Sequence, residues 1–265
     1  MAFLTCAKEG LVLICRFLNA HLQQYGIVEE GELFDLIGDP FAGEPKRGAG
    51  VGSVNEFRLL PPTIPTKIVC VGRNYAAHAK EKGNEVPTEP LLFFKPPSAL
   101  IGHLDSIELP QDVGLVEHEA ELTIVIGKAG RNINASESHK HILGYTCAND
   151  VSARDYQAKD GQWARAKGFD TFCPLGPWIN TLLDPSNLNV RCTVNGMVRQ
   201  DASTSQLVFD IPFLIAHISK IMTLNPGDVI LTGTPAGVGP IQAGDLVDVE
   251  IEGIGLLRNS VTAGP

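Results

Sequence analysis

Cysteine is scarce in this chain and forms no motif: Cys6, Cys15, Cys70, Cys147, Cys173 and Cys192 include no C-x-x-C pair. That spacing argues against a disulfide framework and reads as reduced, buried thiols of an intracellular protein, so a cytoplasmic location is expected. No apolar run reaches the length of a membrane span. The N-terminus is mildly apolar, but Lys8-Glu9-Gly10 interrupts it and no basic stretch precedes it, so it is not read as a signal peptide. Aromatic residues make up only 6% of the chain, and the formal net charge is −9 with no basic cluster. Both features argue against a nucleic-acid partner and against a β module that stacks bases or sugars. A G-x-S-x-G nucleophile elbow and a phosphate loop ending in G-K-S/T are also missing, as are internal repeats and low-complexity segments.

What is present is a 265-residue chain with 44% hydrophobic and 19% charged residues, enough for a sizeable core. Residues 1–60 read as a small N-terminal β domain. Within them, Ile27 to Ile37 suggests two strands around a Glu-Gly turn, residues 11–25 fit helix or strand equally, and Gly43 to Gly52 reads as a loop. Pro61-Pro62 and Pro65 then punctuate the chain, and residues 61–265 form the second unit. Strands are expected at 67–71, 91–95, 121–127, 144–149, 190–194, 228–232, 245–251 and 255–261. Helical spacing is clear only from Val208 to Leu224, before Asn225-Pro226-Gly227, with a short helix at Tyr75 to Lys82. Strand dominance with few helices predicts a mainly β, β-rich α+β fold.

Four segments could carry chemistry. In Glu117-His118-Glu119-Ala120-Glu121-Leu122, Glu119 and Glu121 are two apart at the mouth of an apolar strand, so they share a face. Two anions against a buried strand call for a cation, although such a pair also occurs on solvent faces. Asp150, at the end of the segment Ile142 to Asn149, could supply a third carboxylate. An all-oxygen set suits Mg²⁺ or Mn²⁺, with Ca²⁺ as an alternative, better than Zn²⁺. In Val71-Gly72-Arg73-Asn74-Tyr75-Ala76-Ala77-His78-Ala79-Lys80-Glu81, His78 and Glu81 are three apart on a short helix. They are either a base and its orienting carboxylate or a surface pair. Arg154, in Asp150 to Gln157, could grip a carboxylate, and Lys167 could balance enolate charge near a metal; surface salt bridges are the plain alternative. Leu231-Thr232-Gly233-Thr234-Pro235-Ala236-Gly237-Val238-Gly239 is either a β-turn or a turn whose hydroxyl and amides meet a substrate carboxylate. His139-x-His141 sits in a polar, helical stretch where the two rings diverge, so no metal role is assigned.

These segments occur in a fixed order with LLFFKPPSALIG, KGFDTFCPLGPWI and VNGMVRQ, and together they resemble the fumarylacetoacetate hydrolase superfamily over about residues 66–262. The similarity is to the branch of acylpyruvate hydrolases, oxaloacetate decarboxylases and tautomerases, and 2-hydroxyhepta-2,4-diene-1,7-dioate isomerases. The resemblance implies a mixed β-sandwich roll and a metal held by Glu119, Glu121 and Asp150. It implies a catalytic set of His78, Glu81 and Lys167, and substrate contacts from Arg73, Arg154, Gln157 and Thr234. Glu117 and His118 fall outside that set. The implied partner is a small 2-oxo dicarboxylate or acylpyruvate, cleaved or decarboxylated through an enolate at the metal, in a homodimer. Keto–enol tautomerisation and isomerisation are the alternatives within the family. A non-catalytic metal-binding scaffold is the alternative outside enzymology.

Overall fold

The computed structural model describes residues 12–43 and 45–264; the mildly apolar N-terminal stretch, Cys6 and the proposed start of the first domain lie outside the described residues. The fold is mainly β, as expected. A large sheet runs in the order Lys46–Ser53, Glu32–Ile37, Leu22–Glu29, Leu13–Asn19, Cys173–Asn180, Ile142–Asn149, Ala120–Ile126, Val229–Leu231, Ile68–Gly72 and Leu91–Lys95. A five-stranded sheet runs in the order Met197–Ser203, Asn189–Val194, Leu246–Ile251, Gly255–Ala263 and Ile107–Leu109. A third sheet joins Ser152–Ala153, Val116–His118 and Gly239–Pro240.

The centre of the large sheet explains its own sequence. Every residue of Ala120–Ile126 is buried, which is why this strand is β-branched and nearly all apolar after Glu121, with Thr123 the one polar residue. Its residues divide by parity. Leu122, Ile124 and Ile126 face a core shared with the five-stranded sheet through Val190, Cys192, Val247 and Val249, while Val125 faces the opposite core with Ile68, Cys70, Val229 and Leu231. Glu119 and Glu121 have the parity of Val125, so they cannot point into the first core. On one side this strand pairs antiparallel with Ile142–Asn149, placing Ala120 opposite Asn149. On the other it meets Val229–Leu231, which runs parallel to Ile68–Gly72. Three segments distant in sequence therefore end side by side: Asp150 after one strand, Thr232 to Gly237 after another, and Arg73 to Glu81 after the third.

The helix expected from Val208 to Leu224 is shorter, Ile211–Ile221. Asp210 caps it by accepting from the Phe213 N–H at 2.8 Å, and Leu224 is taken up by an isolated bridge to Gly130. The expected short helix forms over Ala76–Glu81. Two further short helices, Arg154–Asp160 and Ala164–Gly168, lie outside the sequence expectation.

The N-terminal strands form an antiparallel meander. Residues 12–25 settle the helix-or-strand ambiguity as a hairpin, and Glu30-Gly31 turns the next one with φ of 51° and 85°. Gly43 to Gly52, read as a loop, contains the edge strand Lys46–Ser53. Its glycines give it no strand propensity; ladder bonds to Glu32–Ile37 hold it, and the register shifts twice along the way. This meander has a small core of Cys15, Phe17, Val28, Leu33, Val54 and Leu59. It joins the large sheet directly, through Leu13 opposite Asn180 and Ile14 opposite Ile179. Among the described residues no helix is long and apolar enough to cross a membrane.

Candidate active site

Glu119, Glu121 and Asp150 are buried together, with one carboxylate oxygen from each lying within 4.8 Å of the others. The strand break at Glu119 is locked by Asn149, whose Oδ1 accepts from the Glu119 N–H at 2.9 Å, and the Asp150 N–H donates to the Glu119 carbonyl at 2.8 Å. Lys167 donates to both Glu119 (2.8 Å) and Asp150 (2.6 Å). Lys95, fully buried, donates to Asp150 at 2.7 Å and to the Val151 carbonyl at 3.1 Å. Among the described residues Glu121 has no such cation, and its one hydrogen-bond donor is the Gly233 N–H at 2.7 Å.

The electrostatics follow from these partners. Burial opposes ionisation of Glu119, but Lys167 and Arg154 outweigh it and hold the carboxyl far below its usual range. Burial, then Asp150 and Glu119, drive Glu121 well above it. Burial also opposes charge on Lys167, but Asp150 and Glu119 keep it protonated. A buried carboxylate that faces two others and has a single N–H partner fits a hard divalent cation, which Glu119, Glu121 and Asp150 would hold.

The Ala76–Glu81 helix brings His78 to the same cleft, of about 270 Å³ and lined also by Arg73, Lys82, Phe93, Arg154, Gln157, Trp163 and Thr234. His78 Nδ1 lies 3.3 Å from Glu81 Oε2, so the pair anticipated from spacing forms. Burial lowers the His78 pKa, against the opposing pull of the Glu119 and Glu81 charges. Glu81 is itself held by the Gly237 N–H, at 3.0 and 3.2 Å to its two oxygens.

Eight of the ten anticipated residues line this cleft, and the other two stand behind it, Glu81 against His78 and Asp150 against Lys167, but their partners differ from expectation in three places. Arg154 is not a free carboxylate grip. Its Nε donates to Glu117 at 2.6 Å, one terminal nitrogen to Glu119 at 2.5 Å and the other to Gln157 at 2.8 Å. In the glycine-rich turn, the Gly233 and Gly237 amides serve the protein's own Glu121 and Glu81. Only glycine suits these positions: φ is 103° and 99°, and a Cβ would lie 2.7 Å from the Asn74 Cβ and 2.0 Å from the Arg199 carbonyl oxygen. Glu117 is no bystander, because Lys82 at 2.7 Å and Arg154 meet on one of its oxygens, tying the histidine helix to the triad. Sequence reasoning missed Lys95, although a lysine closing the apolar strand Leu91–Lys95 was a visible signal.

The remaining motifs have ordinary roles. His141 Nδ1 lies 3.0 Å from the Lys128 carbonyl, within the 3₁₀ turn Ala135–His141. Among the described residues all five cysteines are buried free thiols, and burial pushes those of Cys15, Cys173 and Cys192 up to about 12.

Fold and cleft define a class, a mainly β protein with a buried carboxylate triad beside a histidine–glutamate pair. The family can be stated more narrowly. Residues 67–262 match the family Fumarylacetoacetate (FAA) hydrolase C-terminal, and the chain belongs to it. The chain is 48% identical to the mitochondrial oxaloacetate tautomerase of Xenopus laevis over 215 residues, which cover 77% of this chain and 67% of that protein. The crystal structure of 2-hydroxyhepta-2,4-diene-1,7-dioate isomerase from Mycobacterium marinum superposes with a TM-score of 0.88 at 43% identity, covering 95% of this chain and 98% of the other. Maleylpyruvate hydrolase from Sphingobium sp. SYK-6, in complex with manganese(II) and pyruvate, superposes with a TM-score of 0.79 at 33% identity, covering 96% and 100%.

Proposed function

We propose that this chain is a divalent-metal enzyme that moves a proton on a small 2-oxo dicarboxylate. The observation that carries this reading is the charge pattern of the cleft. Five carboxylates, Glu81, Glu117, Glu119, Glu121 and Asp150, stand with five cations, Arg73, Lys82, Lys95, Arg154 and Lys167. A divalent ion on the triad adds two positive charges that no protein group offsets, and a dicarboxylate supplies the matching two. A monoanionic acylpyruvate would leave one unmatched in a buried site. Mg²⁺ or Mn²⁺ suits the all-carboxylate donor set; when bound, it would supply Lewis-acid stabilisation of negative charge developing on a keto oxygen. The manganese in the maleylpyruvate hydrolase complex supports the same choice.

The chain's own residues divide the remaining work. Lys167 and Arg154 keep Glu119 ionised. Gly237 orients Glu81, and Glu81 orients His78 through Nδ1. Neutral His78 takes the proton from the carbon next to the keto group, and Arg73, at the cleft wall, offers a cation to the distal carboxylate. Returning the proton to a different atom gives tautomerisation or isomerisation, the outcome supported by the 48% and 43% identical relatives. Hydrolysis or decarboxylation at a C–C bond is the second reading, supported by the hydrolase neighbour. In hydrolysis His78 activates water against a distal carbonyl; in decarboxylation the bond to a β-carboxylate breaks, CO₂ leaves, and the enolate carbon takes up a proton.

The test is a panel of enol-oxaloacetate, oxaloacetate, 2-hydroxyhepta-2,4-diene-1,7-dioate and an acylpyruvate, assayed with Mg²⁺ or EDTA and with product identification. Turnover of a dicarboxylate that EDTA and Glu119→Ala both abolish is the expected result. Activity indifferent to both would remove the metal from the proposal. Metal binding without any turnover would favour a scaffold.

A further inference from the structure

Gln200 lies on the edge strand Met197–Ser203, remote in sequence from every site residue, and is fully buried behind the triad. Backbone groups that cannot exchange roles fix its amide from both sides. The Ala120 N–H can only donate, so the atom 3.0 Å from it is Oε1; the Pro235 carbonyl can only accept, so the atom 2.8 Å from it is Nε2. Nε2 also donates to Thr234 Oγ1 at 2.7 Å. Thr234 Oγ1 is in turn 2.9 Å from the carbonyl of Ala120, which can only accept, so the hydroxyl hydrogen points there. A hydroxyl has one hydrogen and two lone pairs. The hydrogen is committed to Ala120, one lone pair to Gln200, and a single lone pair is left for the cleft that Thr234 lines.

We infer that Gln200 is a positioning residue that makes Thr234 an obligate hydrogen-bond acceptor toward the cleft, so that Thr234 selects a ligand hydroxyl and not a carboxylate. A carboxylate there would face lone pair to lone pair, whereas the enol form of a 2-oxo acid brings the hydrogen that the keto form lacks. The ligand half of this inference rests on the 2-oxo dicarboxylate reading; the polarity of the chain does not. Gln200 Oε1 is also 3.1 Å from His118 Nδ1, and because Oε1 only accepts, the hydrogen sits on Nδ1; Cys192 Sγ, 3.3 Å from the same nitrogen, turns its own hydrogen to the Thr193 carbonyl 3.9 Å away. Among the described residues, buried His118 Nε2 has no partner.

Titration calorimetry of the magnesium-loaded protein with malonate and hydroxymalonate, which differ by one hydroxyl, tests the ligand half. The wild type should prefer hydroxymalonate. That preference should fall about tenfold in Thr234→Val, the worth of one neutral hydrogen bond, with malonate affinity nearly unchanged. Thr234→Ser should restore it, and Gln200→Leu should weaken it although Thr234 is still in place. An unchanged preference in Thr234→Val, or equal losses for both acids, would overturn the assignment. An unchanged preference in Gln200→Leu would overturn the positioning role. Nitrogen-15 NMR of unliganded protein tests the polarity alone: His118 Nδ1 should carry the hydrogen and Nε2 none, and a neutral ring with Nδ1 bare and Nε2 protonated sinks the scheme. If the wild type binds neither acid, the substrate class fails, and the nitrogen spectrum still decides the polarity.

Discussion

At the scale of single residues, His78 sets the pH behaviour. It acts as a base only when neutral. Burial disfavours the imidazolium and lowers its pKa below the ordinary 6.5, although Glu119 and Glu81 pull the other way. With the metal site saturated, so that the Glu121 proton does not compete, activity is expected to be flat above pH 6.5 and to fall as pH drops through the lowered value. In His78→Asn the rate should drop by about 10²- to 10⁴-fold and the acid limb should vanish. A kcat/KM profile with its acid limb above 6.5, or a limb that persists in the variant, would contradict the assignment. The identities of the triad and of the histidine pair were legible from spacing and family resemblance. Which partner each residue takes was not. Arg154 meeting Glu117, and Lys95 meeting Asp150, link segments 37 and 55 residues apart, and no local pattern encodes such a meeting.

At the scale of elements, the turn after Val229–Leu231 does more than change direction. Its Gly233 and Gly237 amides hold one carboxylate of the triad and one of the histidine pair. Gly237→Ala adds a Cβ 2.0 Å from the Arg199 carbonyl at a backbone φ of 99°, so the turn must shift and Glu81 loses its donor. A fall of up to about 100-fold in kcat/KM is expected. Metal affinity, measured by calorimetry, should hold, because Glu121 is tied to Gly233 instead. Equal losses of both would place Gly237 in general stability. Strands buried on both faces, such as Ala120–Ile126, were readable because burial demands apolar and β-branched residues at nearly every position. The edge strand Lys46–Ser53 was not, since its glycines carry no such signature and its ladder partner alone makes it a strand.

For the whole molecule, the pairing of Leu13–Asn19 with Cys173–Asn180 makes the N-terminal meander an extension of the catalytic sheet. The boundary expected at the prolines near residue 61 does not interrupt the sheet, which runs across it. Linkage to metal is also a property of the entire fold. Magnesium at about 100 times its Kd should add about 2.7 kcal/mol to stability. In a chain of this size that corresponds to a rise in Tm on the order of 5–10 °C. Glu121→Gln should lose most of the rise, and an equal shift in that variant would exclude the triad as the site.

The lysines among the carboxylates have a consequence for how this protein comes to be made. In zinc fingers the metal is the source of folding energy, and the chain collapses only around it. Here Lys95, Lys167 and Arg154 already answer Asp150 and Glu119, and the raised pKa of Glu121 lets a proton stand where the ion will go. The polypeptide can leave the ribosome, fold and wait. Under the proposed function, loading exchanges one proton for one cation in a finished site, so metal supply governs activity without being needed for folding, and binding then adds its own increment of stability.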